Sequence, residues 1–163
     1  MEKRFSLTVT LLTLLGIVPF IASALVASYE REVATYLLHR PSDAELVGLV
    51  GRTSLIAYAG SILSFMAGAR WGGEFGKSGD RINAGVMALA VIPSIIAWVM
   101  LIFGMLPGTW VAGAMLVLSG CFLMLLAWDS TARYPAWYMT LRTIATLSAL
   151  TCLIAVAMQI LPG

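Results

Sequence analysis

Residues 82–128 read INAGVMALAVIPSIIAWVMLIFGMLPGTWVAGAMLVLSGCFLMLLAW, without a single Lys, Arg, Asp, Glu or His. One helix of that length would extend about 70 Å, more than twice the roughly 30 Å hydrocarbon core of a bilayer. The run must therefore fold back on itself. The place is Gly104-Met105-Leu106-Pro107-Gly108, since Pro cannot continue a helix and Gly permits the turn. A transmembrane hairpin of this kind makes the chain a polytopic membrane protein.

The rest of the chain agrees. It is 60% hydrophobic and 11% charged over 163 residues, whereas a soluble domain needs about 25% charged residues. Net charge is only +2, and the basic residues are scattered over several loops, so nothing points to nucleic acid. Five apolar segments have the length of a spanning helix: 5–28, 46–69 (interrupted by Arg52), 82–103, 110–128 and 143–161. The expected fold is an all-α, compact bundle of five transmembrane helices forming a single integral membrane domain over 1–163. Met1-Glu2-Lys3-Arg4 and Ala22-Ser23-Ala24 also resemble the basic start and cleavage site of a signal peptide, but the apolar stretch between them is longer than usual for one.

Basic residues set the expected orientation. With the N-terminus inside, the inner side holds Lys3, Arg4, Arg70, Lys77, Arg81, Arg133 and Arg142, and the outer side Arg31, Arg40 and Arg52. That asymmetry predicts N-inside, C-outside. In the first outer loop Tyr29, Val33, Tyr36, Leu37 and Arg40 recur at helical spacing, which predicts a short interfacial helix or a continuation of the first span. Pro41 ends it, and Ser42-Asp43-Ala44-Glu45 has the pattern of a capping box opening the second span.

Within the spans, Gly60, Ser64, Gly68 and Gly72 step by four and predict a face for close helix packing. Pro19 and Pro93 predict kinks. At the inner ends, Arg70, Asp129 and Arg142 should lie at similar depth. A charge deep in hydrocarbon costs about 2.5–3.5 kcal/mol on insertion scales, so Asp129 should pair with Arg70 or Arg142. Tyr138, Arg142 and Thr146 share one helix face, and Trp71, Trp128, Trp137 and Tyr138 form an aromatic belt. The cluster Arg70, Trp71, Asp129, Trp137, Tyr138 and Arg142 is thus a candidate structural, headgroup-binding or partner-binding site.

Ile62-Leu63-Ser64-Phe65-Met66-Ala67-Gly68-Ala69-Arg70-Trp71-Gly72, Pro93-Ser94-Ile95-Ile96-Ala97-Trp98, and Asp129 with Pro135-Ala136-Trp137-Tyr138-Met139-Thr140-Leu141-Arg142 resemble the hallmark segments of domain-of-unknown-function family 3429. The resemblance runs from about residue 10 to the C-terminus. It implies a small membrane protein, carries no catalytic residues, and makes the six cluster residues motif positions. Ala67 stands where the family pattern suggests Gly, which implies looser packing there.

Reaction chemistry finds little support. His39 is the sole histidine, Cys121 and Cys152 lack Cys-x-x-Cys spacing, and Ser64 has no histidine to serve as its base. Gly72-Gly73-x-x-Gly76 follows a helix rather than a strand, so it reads as a C-cap and not as a phosphate loop. No catalytic residue, cofactor or metal is expected, and the chain is read as no enzyme. The remaining classes are a non-enzymatic accessory subunit, assembly factor or lipid-binding stabiliser of a larger inner-membrane complex, or alternatively a small transporter or channel. The expected partners are membrane lipids and other membrane-protein subunits, in the bacterial cytoplasmic membrane or alternatively the mitochondrial inner membrane.

Overall fold

A computed structural model describes residues 2–75, 83–132 and 134–161, with side chains from Leu7 onward. Of the residues used to read orientation, Lys77, Arg81 and Arg133, and the side chains of Lys3 and Arg4, lie outside what is described. Among the described residues there is no strand, and five helices are long and apolar enough to cross a membrane: α1 (Glu2–Ser28), α2 (Ala44–Phe75), α3 (Ala84–Phe103), α4 (Thr109–Ser130) and α5 (Ala136–Ile160). The protein is a multi-pass membrane protein.

Two helices outrun the segments expected from apolarity. Apolarity ends the second span at residue 69, but α2 continues to Phe75, so Gly72 and Gly73 do not cap it; Gly76 lies outside the described residues. Apolarity starts the fifth span at residue 143, but α5 begins at Ala136 and carries Trp137, Tyr138 and Arg142 within it. Charge marks where hydrocarbon becomes costly, not where backbone hydrogen bonding must stop. A neutralised Arg can sit inside a helix without ending it. Pro135 stands one residue ahead of α5, and its carbonyl accepts from the backbone N–H groups of Tyr138 and Met139. Asn83 caps α3 through its side-chain oxygen, which accepts from the Val86 N–H at 3.2 Å.

The hairpin turns where expected, and two of its glycines do different work. Gly108 has φ of 72°, a left-handed conformation that favours glycine. Gly104 is helical, but a Cβ there would lie 2.5 Å from Ile56 Cδ1 of α2, so its role is close approach.

The chain breaks helical geometry at Tyr29, then forms a short helical segment over Glu30–Leu37, wound as π-helix from Val33. Ala34 is buried, while Tyr36 and Leu37 are largely exposed. A 3-10 turn at Pro41–Asp43 leads into α2. Ser42 does not cap α2 as the sequence pattern suggests; its hydroxyl donates to Asp43 Oδ1 at 3.0 Å. With the 3-10 turn running straight into the helix, the expected N-cap position is already helical.

α2 packs against α1 on one side and α3 on the other, α4 against α5, and α1 closes against α5. Within their apolar windows, 44% of residues are buried in both α2 and α4, against 11% in α1 and α3, which sets α2 and α4 at the centre. Leu55, Ala59, Leu63, Met115, Leu118, Phe122 and Leu153 form the core. The α1–α2 crossing is tight: a Cβ on Gly51 would come 2.5 Å from the Ala27 backbone nitrogen. Tyr58 reaches across the same interface and donates to the Gly16 carbonyl at 2.8 Å.

Candidate functional site

The ends of α2 and α4 and the start of α5 meet at one end of the bundle. Asp129 is 1% exposed and lies between two guanidinium groups. Arg142 Nη2 contacts its Oδ2 directly, and Arg70 Nε stands 3.7 Å from its Oδ1. Residues far apart in sequence are thereby tied together across three helices.

The two arginines are not equivalent. Arg70 is committed to α4. Its Nη2 donates to the Trp128 carbonyl at 3.2 Å and lies 3.4 Å from the Thr131 hydroxyl oxygen, and its Cζ sits 4.4 Å above the Trp128 ring. A cation on the terminal carbonyls of a helix complements its dipole, and stacking on an indole adds a cation–π contact. Arg142 is 8% exposed, and its Nε, like that of Arg70, has no hydrogen-bond partner among the described residues. One turn further along α5, Thr146 is fully buried and its hydroxyl is also unpartnered. Other hydroxyls of the same helix, on Thr140, Thr143, Ser148 and Thr151, donate back to the carbonyl four residues earlier.

Arg142 opens onto an apolar cleft of about 340 Å³. Its walls are Val9, Thr13, Gly16 and Phe20 of α1, Ile62, Phe65 and Met66 of α2, and Tyr138, Leu141 and Ala145 of α5, with Phe122 of α4 also lining it. Phe65 is 76% exposed at the lip. The cleft runs alongside about 16 Å of α1, at 1.5 Å per residue from Val9 to Phe20.

The aromatic members of the cluster take peripheral places. Trp71 packs edge-on against Phe75 at 4.7 Å, and Trp137 against Tyr138 at 6.0 Å. Both tryptophans are about 40% exposed. The small-residue face divides. Gly60 packs closely, since a Cβ there would lie 3.2 Å from that of Ala97 on α3. Ser64 lines a groove between α2 and α3 with Ser61 and Ser94. Gly68 and Gly72 are exposed, with nothing within 4 Å of an added Cβ. The close contact between α2 and α3 is therefore confined to the middle of α2 and does not run along all four positions.

The α1 wall of the cleft was missed by sequence reading. Val9, Thr13, Gly16 and Phe20 recur at helical spacing, with a lone hydroxyl and a glycine among larger residues. In a helix apolar on every face that signal is faint. Trp128 was read as belt, but it is the platform for Arg70. Among the described residues, no group of three or more His, Cys, Asp and Glu comes together as a metal site would require.

Comparison with known proteins fits this architecture. Transmembrane protein 69 of Xenopus tropicalis is 29% identical over 154 residues, covering 88% of this chain and 51% of that protein. The chain thus spans about half the length of that curated relative. No solved structure matches it. The model of the family described as "Protein of unknown function (DUF3429)" matches residues 6–158, and the chain belongs to that family.

Proposed function

We propose that the protein is a non-enzymatic accessory component of a larger inner-membrane complex: a subunit, assembly factor or lipid-binding stabiliser. The observation that carries this reading is the use of the buried charge. Asp129 and Arg70 are spent on each other, on Arg142 and on the end of α4, an arrangement that holds helices together. What the protein presents to its surroundings is apolar lateral surface, including Phe65, Trp98, Met124 and Met158, all more than 60% exposed. Such faces meet lipid or the helices of other membrane proteins. The membrane is the bacterial cytoplasmic membrane in this reading, with the mitochondrial inner membrane as the alternative, and the chain enters it N-inside, C-outside.

The alternative of a small transporter or channel draws on the groove between α2 and α3, where Ser61, Ser64 and Ser94 lie beside Pro93 in the middle of two spans. Polar groups at that depth are features of transport sites.

Mild-detergent purification of the tagged protein from its native membranes is the test. The expected result is co-purification of other membrane proteins at a constant ratio. Isolation of the chain alone, together with substrate movement in reconstituted vesicles, would replace the accessory reading with the transport one. An alkaline-phosphatase reporter should be active after Gly163 and inactive when inserted at residues 76–80; the reverse pattern overturns the orientation.

A further inference from the structure

We infer that the cleft between α1, α2 and α5 is a binding site for a single-tailed anionic amphiphile, its tail along the apolar walls and its head on Arg142. This deepens the lipid-binding side of the reading above and rests on it.

Three observations converge. The first is charge: two guanidinium groups share one carboxylate, so the Arg70–Asp129–Arg142 triad carries one positive charge more than negative where an uncompensated charge is costly, while the buried Glu74 further along α2 accepts from the Asn83 backbone N–H. The second is which arginine is available. The Nε of each lacks a hydrogen-bond partner among the described residues, but Arg70 is engaged with the Trp128 carbonyl and ring and stands outside the cleft, whereas Arg142 lines it with more than nine-tenths of the residue buried. A buried donor without an acceptor calls for one, and a guanidinium matches a carboxylate or phosphate best. The third is shape. The cleft extends along α1 from Val9 to Phe20 and is lined almost wholly by apolar side chains, and about 340 Å³ lies near the lower end of small-molecule sites, roughly 300–1,000 Å³. That suits one hydrocarbon tail. Phe65, a cleft residue that is 76% exposed, marks the side from which a tail would enter laterally.

A free fatty acid and a lysophospholipid with a terminal phosphate share this chemistry, and the experiment separates them. Full-length protein in a neutral detergent is titrated with oleate, with oleoyl-lysophosphatidate, and with monoolein, which has the same tail but no charge. Native mass spectrometry and the thermal midpoint are read. One-to-one adducts and a raised midpoint are expected with one or both anions, and the anion that binds names the head. Monoolein should bind at least tenfold more weakly. Ala145→Phe, which fills the cleft without touching the ion pair, should keep the unliganded midpoint and weaken anion binding tenfold or more; Leu12→Trp, at a further α1 residue that lines the cleft, gives the same test should Ala145→Phe fail to fold. The proposal is overturned by monoolein binding as well as the anions, by absence of any adduct, or by anion binding that survives both plugged variants. It is also overturned if a photo-crosslinker at Phe65 captures a partner helix in native membranes while the purified chain binds no amphiphile. Partner co-purification can fail while this binding holds, and the reverse, so the two readings fail separately.

Discussion

α2 carries one arginine near each end, and the two are built into opposite kinds of site. Arg52 and Arg70 are eighteen positions apart, about 27 Å along a helix, close to the roughly 30 Å of a hydrocarbon core. Arg52 pairs with Glu30 at 3.2 Å, with side chains 24% and 32% exposed, and Glu30 comes from the short segment that follows α1. Arg70 joins Asp129 and Arg142, with side chains 11%, 2% and 7% exposed, from the two helices that close the fold. One pair fastens a loop to its neighbouring helix. The other replaces water for three helices at once. Isolated salt bridges at a wet surface contribute about 0–1 kcal/mol, whereas a buried charge stripped of its partner costs about 3–5 kcal/mol. Similar chemistry at the two ends should therefore respond very differently to mutation.

The largest effect is expected at Asp129. Asp129→Asn leaves two guanidinium groups facing each other at the end of the bundle, and stability should fall by about 3–5 kcal/mol. The thermal midpoint in detergent and abundance in the membrane would both report it. Exchanging the charges, Asp129→Arg with Arg142→Asp, should recover part of the loss if direct contact is what matters. A wild-type midpoint for Asp129→Asn would mean that water reaches this end and that the two ends do not differ.

A smaller effect separates the middle of α2 from its charged end. Gly60→Leu must displace Ala97 on α3, and overpacking of this kind costs about 1–3 kcal/mol. Gly68→Leu enters open space and should be neutral, or slightly stabilising because Leu is the better helix former. Thermal midpoints of the two variants compare them directly. Equal losses would show that something outside the chain packs on Gly68, which is where a partner subunit would be sought.

The fold was legible because membrane physics writes it in long runs: the uncharged stretch at 82–128 and the turn at Gly104–Gly108 leave little choice of architecture. The partners of Asp129 were legible too, since an acid beyond an apolar run needs a base at its own depth, and Arg70 and Arg142 were the candidates. Helix ends were less so, because Arg70 and Arg142 look like boundaries until their neutralisation by Asp129 is seen. The Gly60–Gly72 stripe misled in part, since four small residues on one face show where a helix could approach and not whether one does. The cleft was not legible. Its α1 wall is an ordinary-looking apolar segment, and only the approach of α1 to both α2 and α5 gives Val9, Thr13 and Gly16 a common purpose.

The smallest effect belongs to the Arg52–Glu30 end, and it is the sharpest check on the comparison. Glu30→Gln removes a charge that is about one-third exposed, so water can replace much of what Arg52 loses, and the expected cost is under about 1 kcal/mol. Added salt should narrow the gap between variant and wild type, as screening weakens pairs that solvent can reach. Gly48 supplies a second handle. A Cβ there would overlap the Glu30 carboxylate, with Arg52 Nη1 at 3.2 Å. Gly48→Ala should therefore push Glu30 aside and act through the same pair. The double variant should cost less than the sum of the two single losses, because the second change removes an interaction already broken. Additive losses would mean that Gly48 matters for packing and not for the carboxylate. A Glu30→Gln loss as large as that of Asp129→Asn would place both arginines of α2 in equally dry surroundings.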